Sequence, residues 1–159
     1  VDLRNNPGGE LNTVVSMADY VLKDGGRILT VADKEGAEEV YDAKDGHSLE
    51  IPMVVLVNGN SASASEVFTG ALKDYKKAVV VGTTSYGKGI VQNLIPLGDG
   101  SAIKITTAHY YTPSGFDLHG KGITPDVEVE LDENLKSQSV VTPEEDNQVQ
   151  AAMEALKEN

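Results

Sequence analysis

Leu11, Val14, Val15, Ala18, Val21 and Leu22 recur three and four positions apart, the spacing of one helix face, and Gly25-Gly26 stops that helix. Before it stand a short opening strand and the turn Asn5-Asn6-Pro7-Gly8-Gly9. Residues 27–32 and 37–42 read as a hairpin around Asp33-Lys34-Glu35-Gly36, and a polar loop follows over 43–50. Residues 52–57 are apolar at consecutive positions, as in a central strand covered on both faces. A second helix is predicted over 64–75 and another buried strand over 77–82. Residues 90–97 and 102–111 form a second hairpin across Gly98-Asp99-Gly100-Ser101. The glycine-rich stretch 113–125 is too long for a mere turn, and loops of that length are often functional. Residues 126–131 alternate as a strand, 134–141 read as a linker, and Thr142-Pro143-Glu144-Glu145 is a capping box with proline at the first helical position. The final helix places Val149, Ala152, Met153 and Leu156 on one face.

Strands and helices alternate early and strands cluster later, which predicts an α/β domain with a twisted mixed sheet covered by helices. The hairpins argue against a simple doubly wound sheet. The expected division is a core over 1–131 and a linker with a C-terminal helix over 132–159.

The 159 residues suit one domain or part of one, and 40% hydrophobic residues suffice for a core. A net charge of −12 repels phosphate backbones and argues against nucleic acid as a partner. The absence of cysteine excludes disulfides, thiolate metal sites and a cysteine nucleophile from these residues. The longest apolar run, 51–57, is far short of the roughly 20 residues of a membrane helix. The chain opens on Val1-Asp2-Leu3-Arg4 rather than methionine, as expected for a piece of a longer protein.

Candidate chemistry concentrates in two segments, Asn60-Ser61-Ala62-Ser63-Ala64-Ser65-Glu66 and Tyr86-Gly87-Lys88-Gly89-Ile90-Val91-Gln92. Ser63 and Glu66 fit a capping box, in which Ser63 only satisfies amides at a helix start. The same place suits a nucleophile, because free N–H groups at a helix N-terminus can hold an oxyanion, with Ala64 supplying one. Lys88 reads either as a solvated charge or as the base of that serine. A lysine acting as a base must be neutral, which asks for a pocket that strips water from the amine. The apolar flanks Val79, Val80, Val81, Ile90 and Val91 make such burial reasonable. If 88–92 is extended, Lys88 and Gln92 share a face, and Gln92 is placed to direct the amine.

Three rivals are weaker. Residues 82–89 nearly match a phosphate loop, but Gly89 stands where a hydroxyl is needed and a strand follows instead of a helix. His47, His109 and His119 have Asp45 and Asp117 near in sequence, without the G-x-S-x-G signature of one serine-histidine class. No H-E-x-x-H or comparable metal spacing occurs, and no cofactor is expected. Pro7-Gly8-Gly9 is a strand-to-helix turn, or a backbone bare enough to approach a substrate and donate a second amide.

Taken together, residues 2–9, 61–66, 86–89, 111–115 and 120–126 resemble the C-terminal processing peptidases, also called tail-specific proteases, in the family's order. The resemblance implies Ser63 as nucleophile, Lys88 as general base and Gln92 as the residue that orients it. It implies oxyanion donors at Ala64 and at a glycine of the turn, Gly9 before Gly8. It also implies a crotonase-like or Clp-protease-like catalytic core and polypeptide substrates with accessible C-terminal tails. The family's N-terminal segment and PDZ domain are not in this chain. Any membrane association would come through segments absent here, a homo-oligomer is compatible with the family, and the setting implied is bacterial and extracytoplasmic. A non-catalytic peptide-binding or assembly module of the same fold is the alternative.

Overall fold

Residues 1–138 and 140–158 are described by the computed structural model. They form α1 (Leu11–Val21), β1 (Arg27–Asp33), β2 (Glu38–Asp42), β3 (Val54–Val57), α2 (Ala64–Asp74), β4 (Val79–Gly82), β5 (Ile90–Pro96), β6 (Ala102–Tyr111), β7 (Val127–Glu128) and α3 (Asn147–Glu158). The class is α/β, as the alternation of patterns implies. The strands fall into two sheets, an antiparallel one ordered β2-β1-β6-β5 and a parallel one ordered β3-β4-β7.

The parallel sheet lies between helices, and this explains its continuous apolar strands. Val55, Val57 and Val80 join the main core with Val67, Phe68, Ala71 and Leu72 of α2 and Val14, Ala18 and Val21 of α1. Val54, Leu56 and Val81 face the other way and pack with Ala152 of α3. Ala71 and Leu72 are fully buried, and removing one leucine side chain from water is worth roughly 1.5–3 kcal/mol. These contacts fix α2, and with it the serine segment at its N-terminus.

Three local expectations change. The strand predicted over 126–131 is only Val127–Glu128. Beyond it the carbonyls of Val129 and Glu130 are taken by the side-chain amides of Gln148 and Asn147, at 2.6 and 2.7 Å, rather than by another strand. The Thr142–Glu145 box closes a turn, with Thr142 Oγ1 donating to Glu145 Oε2 at 3.0 Å, and does not start the helix. The start of α3 is served by Asp146, whose Oδ1 accepts the amides of Gln148 and Val149 at 3.0 and 3.1 Å. Met153 is half exposed and stands off the packed face of α3, where Val149 and Leu156 lie against the core.

Candidate active site

Strand β3 ends at Val57 and α2 begins at Ala64, so residues 58–63 must turn sharply over the sheet's C-terminal edge. Ser63 takes φ 56° and ψ −118° at that corner, a left-handed conformation that a non-glycine residue adopts at a cost of order 1–3 kcal/mol. The surroundings hold it there. The Ser63 amide donates to Glu66 Oε2 at 2.9 Å, and the amides of Glu66 and Val67 donate to the Ser63 carbonyl at 2.8 and 3.0 Å. The Ala62 amide and the Ser65 hydroxyl both donate to the carbonyl of Asn6, at 3.0 and 3.1 Å, which ties the corner to the Asn6-Pro7-Gly8-Gly9 turn.

The three serines of the motif therefore differ. Ser61 is fully buried, with its hydroxyl donating to the Leu3 carbonyl at 2.7 Å and accepting the Asn58 amide at 2.9 Å. Ser65 is committed to Asn6. Ser63 is half-buried, and its side chain makes no cap hydrogen bond. Residues 63 and 66 stand in capping-box relation, with the Glu66 amide donating to the Ser63 carbonyl at 2.8 Å, and no hydrogen bond of the Ser63 hydroxyl occurs among the described residues. The capping relation thus holds, and its hydrogen bonds run through the main chain of Ser63.

The oxyanion candidates also separate. The Ala64 amide has no hydrogen-bond acceptor among the described residues, and neither does that of Gly9. The Gly8 amide is occupied by Asn6 Oδ1 at 2.9 Å. Gly8 instead matters for room. Its φ is 93°, and a Cβ there would lie 2.5 Å from the Ala62 carbonyl oxygen and 2.7 Å from the Ala64 amide nitrogen. Gly8 and Gly9 line a cleft of about 170 Å³ together with Leu3, Val14, Met17, Ala64 and Phe68. Larger cavities exist, such as one of about 530 Å³ lined by Lys23, Tyr75 and Lys77, but they include none of the site residues.

Lys88 lies on the irregular segment between β4 and β5. It is half-buried, and no ion pair or side-chain hydrogen bond of its amine occurs among the described residues. Its amide donates to Glu66 Oε2 at 2.8 Å, and that of Gly87 to Glu66 Oε1 at 2.6 Å. An internal carboxylate thus occupies the amides that a phosphate loop would offer a nucleotide, and β5 follows where such a loop needs a helix. The loop 113–125 clamps this segment from outside. The Gly120 amide donates to the Gly87 carbonyl at 2.9 Å, and Ser85 and Ile123 exchange hydrogen bonds.

No hydrogen bond links Gln92 to Lys88 among the described residues. Strand β5 starts only at Ile90, so Lys88 lies before the extended run that would put residues 88 and 92 on one face. Gln92 is exposed, and its amide donates to Thr106 Oγ1 at 3.4 Å. The histidines do meet their sequence neighbours, His47 with Asp45 at 3.2 Å and His109 with Asp117 at 3.5 Å, but neither is hydrogen-bonded to Ser63. The carboxylates of Asp19, Asp24 and Asp45 approach one another near the end of α1, where Asp19 and Asp24 accept amides of the 44–46 loop. That arrangement closes a loop and gives no reason to invoke a metal.

The residue that sequence reasoning missed is Glu66, which it treated as a capping partner. It is 1% exposed and accepts four hydrogen bonds, from Ser63, Ser85, Gly87 and Lys88. A carboxylate inside an otherwise apolar helix face, Val67-Phe68 on one side and the motif serines on the other, was the available signal.

The sequence model of peptidase family S41 matches residues 1–129. A carboxy-terminal-processing protease of Bartonella bacilliformis is 48% identical over 147 residues, covering 91% of this chain and 34% of its own length. A chloroplastic C-terminal processing peptidase of Tetradesmus obliquus is 43% identical, covering 82% of this chain and 28% of its own. The chain therefore spans about a third of the length of these curated relatives. Among solved structures, the photosystem II D1 C-terminal processing protease superposes with a TM-score of 0.76 at 40% identity, over 81% of this chain and 33% of that one. A lipoprotein from Streptococcus agalactiae shares the fold, with a TM-score of 0.72 at 21% identity over 99% of this chain and 53% of that one.

Proposed function

The chain belongs to peptidase family S41, and on that footing we propose that it is the catalytic portion of a serine endopeptidase of the C-terminal processing type, with Ser63 as nucleophile and Lys88 as base. One observation carries the assignment of the serine. Ser61 and Ser65 spend their hydroxyls on backbone carbonyls, while among the described residues the Ser63 hydroxyl makes no hydrogen bond, at a strained corner beside the Ala64 and Gly9 amides, which find no acceptor there.

In this proposal the neutral Lys88 amine takes the proton of Ser63 Oγ as that oxygen bonds the peptide carbonyl carbon. The negative charge that develops on the carbonyl oxygen is held by the Ala64 and Gly9 amides and by the N-terminal end of α2. Collapse breaks the C–N bond, and the Lys88 ammonium returns its proton to the leaving amine. Water then attacks the acyl-enzyme, giving its proton to Lys88, and the released serine takes that proton back. Gln92 steers the amine in this reading by exchanging Thr106 for Lys88. Gln92→Ala should then lower kcat on a peptide with little change in KM, and an unchanged kcat would remove it from the site.

The substrate class proposed is a polypeptide with an accessible C-terminal tail and an apolar side chain near the cleaved bond. The cleft beside Gly9 and Ala64 has apolar walls in Leu3, Val14, Met17 and Phe68. An extracytoplasmic setting and a homo-oligomer belong to the same reading. Among the described residues no helix is long and apolar enough to cross a membrane.

Gly8 supplies a test of the oxyanion geometry. A methyl group at Gly8 collides with the backbone of Ala62 and Ala64 and is strained at that φ besides. In the full-length protein Gly8→Ala should lower kcat roughly 100-fold or more, the scale of losing one oxyanion donor. Steady-state cleavage of a peptide with an apolar tail, together with a melting curve, measures it. Wild-type kcat in a folded variant would remove the Ala64 amide from the proposed site.

A further inference from the structure

We infer that Glu66 is a positioning residue, which with Ser85 as its relay sets the nucleophile's corner in register with the lysine's loop and with the 113–125 loop. This rests on the Ser63–Lys88 reading and adds to it the device that holds the two residues together. The observation is a single oxygen atom, Glu66 Oε2, that accepts both the Ser63 amide at 2.9 Å and the Lys88 amide at 2.8 Å. The other oxygen, Oε1, accepts the Gly87 amide at 2.6 Å and the Ser85 hydroxyl at 2.5 Å. A carboxylate has about four lone-pair sites, so every one of them is used.

The arrangement is costly to build for structure alone. Glu66 is 1% exposed and has no cationic partner among the described residues. A buried charge is tolerated only when fully hydrogen-bonded, and here amides, a hydroxyl and the first turn of α2 carry that duty. Two of the four donors are the amides of the nucleophile and base themselves, and a third is the base's neighbour. Sliding the corner against the loop stretches a bond to the shared oxygen. That matters because a misplacement of about 1 Å is enough to cost catalysis roughly 100-fold.

Ser85 extends the linkage outward. Its hydroxyl donates to Glu66 and accepts the Ile123 amide at 2.7 Å, while its own amide donates to the Ile123 carbonyl at 3.1 Å. A Cβ at Gly122 would lie 2.3 Å from the Ser85 carbonyl oxygen, so the loop is seated directly on the relay. Ser85→Ala removes one donor from Glu66 and the acceptor of Ile123 without touching either reacting residue. Glu66→Gln keeps one oxygen able to bridge Ser63 and Lys88 but turns an NH2 group toward the Gly87 amide.

The test uses the full-length protein, with kcat and KM on a fluorogenic peptide with an apolar C-terminal tail, melting curves of each variant, and Ser63→Ala in parallel. The expected result is a kcat roughly 100-fold lower for Glu66→Gln and about tenfold lower for Ser85→Ala. KM should stay within about twofold in both, at a temperature where the variants are folded. Wild-type kcat in either folded variant, or a loss confined to KM, would overturn the inference. If Glu66→Gln does not fold, Ser85→Ala decides alone. An active Ser63→Ala would sink the nucleophile assignment instead, whereas an inactive one beside full-speed Glu66→Gln and Ser85→Ala sinks only the positioning role.

Discussion

Ser63→Ala in the full-length protein is expected to lower kcat on a peptide substrate on the order of 10⁶-fold, about 8 kcal/mol of transition-state stabilisation, with folding preserved. The expectation follows from the division of labour among the motif serines. Ser61 and Ser65 anchor the corner to Leu3 and Asn6, so neither hydroxyl is available to replace Ser63. Alanine keeps the corner's backbone partners, because the bonds to Glu66 and from the Glu66 and Val67 amides use only main-chain atoms of Ser63. Ser61→Ala and Ser65→Ala should show the reverse pattern, a shifted melting temperature with cleavage retained while the protein is folded. Peptide turnover and thermal melts of the three variants, side by side, make the comparison. Turnover by Ser63→Ala at the wild-type rate would move the nucleophile elsewhere.

Lys88→Arg is expected to be nearly as damaging, with a loss of several powers of ten in kcat at neutral pH. Arginine preserves charge and approximate length, so a lysine that served only as a surface cation would tolerate the change. It fails as a base because guanidinium stays protonated at any working pH. The Lys88 amide bond to Glu66 belongs to the main chain and survives the substitution, so the loop keeps its place. The comparison that matters is therefore kcat at equal folded fraction. A Lys88→Arg enzyme that turns over at the wild-type rate would leave the serine without this proton acceptor.

The elements were legible where the pattern was local and periodic. Val14, Ala18 and Val21 on α1 and the continuous Val54–Val57 strand lie buried where their spacing puts them. The division into two sheets was not legible, because pairings such as β1 with β6 join segments some 80 positions apart and leave no local mark. Residues 142–145 misled for the opposite reason. Their capping chemistry is real, but the turn it closes ends at Asp146, which caps the helix in its place.

At the site, Ser63, Lys88 and Ala64 came from motif residues, and the structure adds what spacing never could. It distinguishes three neighbouring serines by where their hydroxyls go, and two neighbouring glycines by whether their amides are occupied. Gln92 shows the limit, since β5 begins only at Ile90 and a shared face for residues 88 and 92 needs the whole stretch to be extended. Glu66 escaped because three of its four partners lie 19 to 22 positions away, on a segment with no pattern linking them to it.

Acid-quenching the full-length protein during turnover of an activated peptide ester, then mapping the acyl group by mass spectrometry, tests the dyad most directly. The acyl mass should reside on Ser63 alone, and its formation should slow by several powers of ten in Lys88→Arg. An acyl group on Ser61, Ser65 or any other side chain, or one that forms as fast in Lys88→Arg, would contradict it.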